Sequence, residues 1–417
     1  MNNFLYGLDF GTTNSVLSIY DEQKKVLVET ISVPSLIYFP AGLSNYVIGE
    51  QAITAYLEDG MKGRFIKSIK QILSRQSFIE TRIHNKRYNA SDLVALILKD
   101  LKAKADKIIG YDCRKAVIGR PVFFDDDNTA KDTLAQTRLS KAVDMAGFDN
   151  VRFQFEPIGA AFAYERTMIT KEKVLVADLG GGTTDFSYLE LDPDKVNKVD
   201  RRNDMIASGG IYIGGDSLDS SFMWEKGTPY FGKDTLYEGS PGKLLKVPMS
   251  LFENICSWDK INFFNSLRIK TSMQDYYHYS NNNRAFKNLL TLVDNNLGYS
   301  VFQAIEKTKI TLSEQDSCKF EYANMGIEID ENISIGDYQA VIQKDMNKIS
   351  AYLDKFLLNN AIQITDVKSL FLTGGTSMVR AVQQLFQNKF PDVKISSGNN
   401  FTSVADGLAF SSYLFKD

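Results

Sequence analysis

Asp178-Leu-Gly-Gly-Gly-Thr-Thr-Asp185 is the stretch of this chain whose residue types and spacing can do chemistry. Gly180, Gly181 and Gly182 in succession permit backbone angles that side chains exclude. In such a turn, consecutive backbone N–H groups and the Thr183 and Thr184 hydroxyls can converge on phosphate oxygens. Asp178 and Asp185 bracket the turn. Two carboxylates repel a phosphate unless a cation lies between them, and Mg²⁺, held largely through its water shell, is the natural one. An ordinary glycine-rich hairpin tip accounts for one or two glycines. It does not account for three glycines, two threonines and two flanking aspartates.

The elements around this turn decide which phosphate-binding design it is. Val174 to Ala177 is an apolar run that predicts a buried strand, and Phe186 to Leu191 alternates as a second strand. A P-loop needs Gly-x-x-x-x-Gly-Lys-Ser/Thr followed by a helix, and no such run occurs. A dinucleotide fingerprint also needs a helix after its glycines. The unit here is strand, turn, strand. The same order opens the chain: Asp9 ends an apolar strand, Gly11, Thr12 and Thr13 turn, and an alternating strand follows to Tyr20. Two such units far apart form an internal repeat and predict two similar half-domains.

Asp9-Phe-Gly-Thr-Thr-Asn-Ser15 and Asp178 to Asp185 resemble the two phosphate motifs of the actin/Hsp70/sugar-kinase superfamily. Gly7-Leu-Asp-Phe-Gly-Thr-Thr-Asn-Ser15 is most similar to Hsp70 proteins. The resemblance implies an α/β, actin-like ATPase fold: two duplicated, ribonuclease H-like lobes around a nucleotide cleft, each with a five-stranded core sheet, and with inserted subdomains. Laid on this chain, residues 1–170 form the first lobe, with an inserted subdomain at about 37–112. Residues 171–397 form the second, with a lid subdomain inserted at about 221–325, and 398–417 is a closing helix returning to the first lobe.

Composition is compatible with that architecture. At 417 residues the chain is too long for one simple core. A net charge of −3 argues against a nucleic-acid partner, which usually meets a basic stripe. No apolar run reaches membrane-spanning length. Met1-Asn-Asn-Phe4 lacks a basic region before an apolar core, so no secretory signal is expected. Three widely spaced cysteines, Cys113, Cys256 and Cys318, read as free thiols of a reducing cytoplasm. With only His84 and His278, a histidine-based metal or protease site is not expected.

Other candidates come from the resemblance, each beside a plainer reading. Lys70, in the run Gly63 to Leu73, matches the Hsp70 lysine of Ala-Lys-Arg-Leu-Ile-Gly that reaches the γ-phosphate and attacking water, with Lys67 as the alternative. Lysines on an amphipathic helix usually face solvent. Glu156-Pro157, followed by Gly159, Ala160, Ala161 and Ala163, matches a segment whose glutamate lies near metal and water and whose proline is linked to switching. Electrostatics alone would put Glu156 at a helix N-terminus. Gly214 and Gly215 match a phosphate-approaching pair, with Asp216 and Asp219 expected as helix caps. Glu306, Lys309 and Ser313 fall on one helical face, which in the family contacts adenosine, although Ile310 stands where arginine is common. Gly374 and Gly375 match the adenosine motif, with Met378 in place of arginine. Ser91 is the expected N-cap of a helix to Ile109, stopped by Gly110. Asp125, Asp126 and Asp127 read as a solvated turn or helix cap, not a metal site.

The implied function is an ATP/ADP-binding, ATP-hydrolysing Hsp70-like switch using Mg²⁺. In it, Lys70, Glu156, Asp178, Thr183 and Asp185 are catalytic candidates, Asp9, Asp178 and Asp185 organise the metal, and the remaining turn residues hold nucleotide. Residues 221–300 show no readable chemistry, and an exchange factor at that lid is a candidate partner. A small-molecule kinase and an actin-like filament or nucleotide-sensing scaffold are the alternatives. The chain stops where full Hsp70 proteins continue into a peptide-binding domain, which resembles short Hsp70-like proteins of the YegD type and leaves the client open.

Overall fold

A computed structural model describes residues 3–42, 45–60, 62–125, 128–165, 168–195, 201–257, 260, 264, 266–281, 283–396 and 402–415. Its organising feature is a sheet that occurs twice. The first has the spatial order Asn150–Phe155, Lys115–Arg120, Phe4–Phe10, Asn14–Asp21, Val26–Pro34. The second runs Lys394–Ser396, Ser369–Thr373, Glu172–Leu179, Thr184–Leu191, Met205–Ile211. In both, the central strand is antiparallel to the next strand in sequence, which is antiparallel to a third. On its other side the central strand begins a parallel pair of ladders. The two similar half-domains expected from the hairpin repeat are present, with the five-stranded core sheets that the resemblance implied.

Burial on both faces explains the composition of the central strands. Leu5, Tyr6, Leu8 and Phe10 are buried in one, and Val174 to Ala177 with Leu179 in the other. Strands covered on both sides read as continuous apolar runs. Between the sheets lies a core formed by Leu5 and Val117, by Ile158, Ala161 and Phe162, by Val174, Val176 and Leu189, and by Val404 and Leu408. Gly159, Ala160 and Ala161 after Pro157 serve this packing. The helices Glu156–Glu165 and Ser403–Phe410 cross so closely that a Cβ on Gly407 would overlap the Gly159 carbonyl; the second helix also packs tightly on the first central strand, where a Cβ on Gly7 would overlap the backbone at Ala405 and Ala409.

Contacts divide the chain into two compact units. One comprises residues 1–214, 349–378 and 385–417 and contains both sheets. The other comprises residues 215–348 and 379–384. Its helix Gly298–Glu314 packs on the hairpin Ser317–Asn324/Ile327–Ser334. The stretch that was unreadable in sequence forms a hairpin, Leu236–Ser240 with Lys243–Lys246, and the helices Met249–Ile255, Leu267–Tyr279 and Arg284–Asp294. Among the described residues, no helix is long and apolar enough to cross a membrane.

Several local expectations shift. The Ala90–Ile109 helix is capped by Asn89, whose side chain accepts from the Asp92 N–H while Asp92 accepts from the Asn89 N–H. Ser91 therefore lies inside the helix. This reciprocal pair satisfies two of the unpaired N–H groups of a helix start, one more than Ser91 alone would. Asn128, not an aspartate, caps Thr129–Met145, and Asp125 pairs with Lys131 at 3.0 Å; Asp126 and Asp127 lie outside the described residues. Lys70 does not lie on a long amphipathic helix. A short strand, Arg64–Ile66, gives way to a single 3₁₀ turn, Ile69–Ile72, entered through Ser68 in the left-handed region (φ 54). The closing helix ends at Phe410 and resumes as a 3₁₀ turn over Ser412–Phe415; residues 398–401 and 416–417 lie outside the description.

Candidate functional site

Each hairpin turn is held by its own sheet. Phe10 pairs with Ser15 across the first turn and Leu179 with Thr184 across the second. The Gly180 N–H donates to the Thr183 carbonyl at 3.0 Å and closes the second turn. Ser35 locks the first, its hydroxyl donating to the Gly11 carbonyl at 2.8 Å and its N–H to the Thr13 carbonyl at 2.7 Å. Sequence reasoning missed Ser35, because nothing local ties it to a turn more than twenty residues earlier.

The fold brings the two turns together. A Cβ on Gly181 would overlap the Thr13 hydroxyl, and one on Gly182 would stand 3.5 Å from the Thr12 methyl and 2.5 Å from Gln71 Nε2. The glycines thus do more than bend the chain. They leave room for the opposite hairpin at van der Waals distance.

Beneath the turns lies a cluster of charge. The Lys70 ammonium donates to Glu156 Oε1 at 2.8 Å. Burial pulls its pKa down, but the carboxylates of Glu156, Asp9 and Asp178 outweigh that pull and hold it above the ordinary lysine value. Burial, then the charge of Glu156, pushes the Asp9 carboxyl up to about 8 against the opposing effect of Lys70, with Asp178 adding to the rise. Burial, followed by Asp185 and Glu156, pushes Asp178 up to about 7. Three carboxyl groups around one ammonium leave an excess of negative charge that a divalent cation suits. Among the described residues, no three His, Cys, Asp or Glu side chains converge closely enough to chelate a metal directly.

Thr183 and Thr184 have different roles. Thr183 donates its hydroxyl to Asp185 Oδ2 at 2.8 Å and orients that carboxylate, while Thr184 is fully buried and donates to the Ile213 carbonyl at 2.7 Å. Alternation along the strand turns Thr184 into the sheet and away from the turn mouth. Gly214 packs on the hairpin itself: a Cβ there would lie 2.6 Å from the Gly180 and Gly181 carbonyls. Gly374 (φ +81) lies against the same hairpin, where a Cβ would come within 2.8 Å of Asp178 Oδ1. Thr376 completes this brace by donating to the Gly180 carbonyl at 2.8 Å. The loop expected at adenosine thus supports the second hairpin turn. Gly375 and Met378 are exposed.

In the second unit, Gly215 and Asp216 open the helix Gly215–Phe222. Asp219 is not a cap. It is buried in that helix and accepts from Lys309 at 2.8 Å, and burial, only partly offset by the Lys309 ammonium, pushes its carboxyl up to about 6. Lys309 is therefore committed to a carboxylate. The Ser313 hydroxyl donates to the Lys309 carbonyl at 3.1 Å, while Glu306 and Ile310 are exposed on the same helix. The charge pairing of Asp219 and Lys309 joins residues 90 apart and left no local signal.

Arg138 is a further residue that sequence reasoning missed. From the helix Thr129–Met145 its guanidinium donates to the carbonyls of Ile72, Leu73, Arg75 and Phe78 at 2.8–3.1 Å. The clamp grips the chain immediately after the Lys70 turn. The planar five-donor fork of arginine suits such divergent acceptors.

A twice-built sheet whose two hairpin turns meet above a buried acidic cluster defines the actin-like ATPase class of fold. Within it, the chain belongs to the Hsp70 family: the family model "Hsp70 protein" matches residues 61–223 and 286–416. The unmatched stretch 224–285 falls within the segment that carried no readable chemistry. Chaperone protein DnaK of Mycoplasmopsis agalactiae is 26% identical over 97% of this chain and 58% of its own length. DnaK of Thermosipho melanesiensis is 34% identical, and that of Metamycoplasma hominis 33%, each over 53% of this chain and 35% of the relative. The chain thus spans between about a third and three fifths of the length of these curated relatives.

Proposed function

We propose that the chain binds ATP with Mg²⁺ at the paired hairpins and hydrolyses it to ADP and phosphate, acting as a nucleotide-operated switch of the Hsp70 type. The observation that carries this reading is the meeting of Thr12 and Thr13 with Gly181 and Gly182 directly above Lys70, Glu156, Asp9 and Asp178. Backbone N–H groups of both turns, with the Thr12 and Thr13 hydroxyls, hold the β- and γ-phosphate oxygens. Asp9, Asp178 and Asp185 hold the hydrated cation, which when bound neutralises phosphate charge. Thr183 keeps Asp185 oriented. Lys70, positioned by Glu156, presents positive charge to the γ-phosphate, and catalysis is chiefly positioning and charge stabilisation. Gly214, Gly374 and Thr376 brace the second turn, while Glu306, Lys309, Ser313, Gly215, Gly375 and Met378 serve the nucleoside.

In this reading residues 1–170 and 171–397 act as the two lobes, closing on nucleotide, with 398–417 joining them. The protein works in the cytoplasm with protein partners, an exchange factor at residues 221–325 among them, and without nucleic acid. The name of the DnaK relatives, chaperone, supports a chaperone-linked output.

Single-turnover phosphate release from Mg-ATP, compared with Asp178→Ala, tests the proposal. Release in the wild type that falls by about two orders of magnitude in the variant is expected, given the usual loss on removing one charge-stabilising group. Tight ATP binding with no release, or phosphate appearing only on an added metabolite, would replace hydrolysis by sensing or by kinase activity.

A further inference from the structure

We infer that Gln71 is a catalytic residue of the phosphate site, its side-chain amide donating to the γ-phosphate and orienting the attacking water. The inference rests on the reading of the paired hairpins as an ATP site. Gln71 follows Lys70 on the same 3₁₀ turn, and its Nε2 is the nearest atom to the position a Gly182 Cβ would take, at 2.5 Å. Thr12 approaches the same point at 3.5 Å. The amide therefore sits at the third glycine of the second turn, beside the threonine of the first. It is half-buried and makes no hydrogen bond to the described residues. Nearby, Lys70 is engaged with Glu156 and Thr183 with Asp185. Gln71 therefore adds an amide to the Thr12 and Thr13 hydroxyls at the turn mouth.

Its chemistry suits the task. A glutamine amide carries two N–H donors and a carbonyl acceptor. The N–H can hold a γ-phosphate oxygen while the carbonyl accepts from a water lined up on phosphorus. The water oxygen forms the new bond to phosphorus, and the bond from phosphorus to the bridging oxygen breaks with its electron pair left on ADP. The water proton passes to a phosphate oxygen, so Gln71 neither gains nor loses a proton. Being neutral, the amide adds no cation to compete with the hydrated metal for Asp9 and Asp178. The Hsp70 run similar to this segment, Ala-Lys-Arg-Leu-Ile-Gly, has arginine after its lysine. An arginine supplies donors but no acceptor, so a water-orienting role at this position depends on the glutamine of this chain.

The test measures ATP and ADP affinity by calorimetry, and single-turnover phosphate release, for the wild type, Gln71→Leu and Gln71→Arg. Loss of one hydrogen bond to a charged group predicts ATP affinity about tenfold lower in Gln71→Leu, with ADP affinity unchanged. Release should fall on the order of a hundredfold. Gln71→Arg should restore the preference for ATP over ADP without restoring release, because it donates but cannot accept. Unchanged ADP affinity certifies that the variant is folded. A Gln71→Leu protein that keeps both the wild-type ATP preference and the wild-type release rate overturns the inference. A wild type that binds neither nucleotide overturns instead the reading of the site on which it rests.

Discussion

Lys70 Nζ donates to Glu156 Oε1 at 2.8 Å, joining a one-turn 3₁₀ segment to the first residue of a helix 86 positions later. This pair sets the position and charge of the Lys70 ammonium in the acidic cluster beneath the hairpins. Lys70→Met leaves Glu156, Asp9 and Asp178 without a counter-charge. Single-turnover phosphate release should fall about a hundredfold or more, as for removal of other transition-state charge partners. ADP affinity, measured by calorimetry, should change by less than about fivefold, a shift of under about 1 kcal/mol.

The Arg138 clamp makes a separable prediction. Replacing it with leucine unpairs the carbonyls of Ile72, Leu73, Arg75 and Phe78, of which the Arg75 bond is exposed and the others part-buried, and an unsatisfied acceptor costs up to about 1–3 kcal/mol when fully buried and less here. Hydrogen exchange over residues 69–78 should accelerate while the central strands stay protected. Phosphate release should fall with it, since the Lys70 turn loses its anchor. Uniform acceleration across the whole first sheet would show instead that the clamp supports the entire fold.

Arg201 and Glu165 form a buried ion pair at 2.6 Å, with Asp204 also bonded to the guanidinium. Arg201→Met strands a buried carboxylate and should lower the urea-derived stability by about 3–5 kcal/mol. Arg201→Met combined with Glu165→Leu should recover most of that loss, because Asp204, the other carboxylate on the guanidinium, keeps Lys195 at 3.2 Å.

Gly407 lies against the Gly159 carbonyl where two helices cross between the sheets. Gly407→Ala forces them apart and should lower stability by about 1–3 kcal/mol, the usual range for overpacking. A melting curve checks it. No loss would mean that the crossing relaxes freely.

The Cys256 thiol is pushed up to about 12, chiefly by burial. The folded chain then keeps that proton where the unfolded chain, at about 8.5, releases it. The unfolded state binds fewer protons in that window, so stability falls as pH rises above about 8.5 and continues to fall until about 12. Urea titrations at pH 8 and pH 10 should show a drop that Cys256→Ala lacks. Alkylation of Cys256 at pH 8 should be slow until the chain unfolds.

The chemistry of the hairpins was legible because it is local. Asp178, three glycines and Thr183 must be adjacent to make one turn, so their identity and order survive in a short run of sequence, as do Asp9 and Gly11 to Thr13 in its repeat. The ten core strands were partly legible for the same reason: strands buried on both faces read as apolar runs. The partners that complete the site were not. Ser35 locks a turn 24 residues before it, Arg138 grips a segment 60 residues away, and Thr376 braces Gly180 from 196 residues away. Each is an ordinary polar residue in its own neighbourhood, and only chain folding decides which acceptor it meets. The same holds for Thr184 and Asp219. Their types suited a ligand or a cap, but strand alternation and helix burial turned one to the Ile213 carbonyl and the other to Lys309. Sequence determined which groups could contact a phosphate. Tertiary structure decided which of them face the turns, because direction and burial are properties of packing, and packing joins residues that the chain keeps far apart.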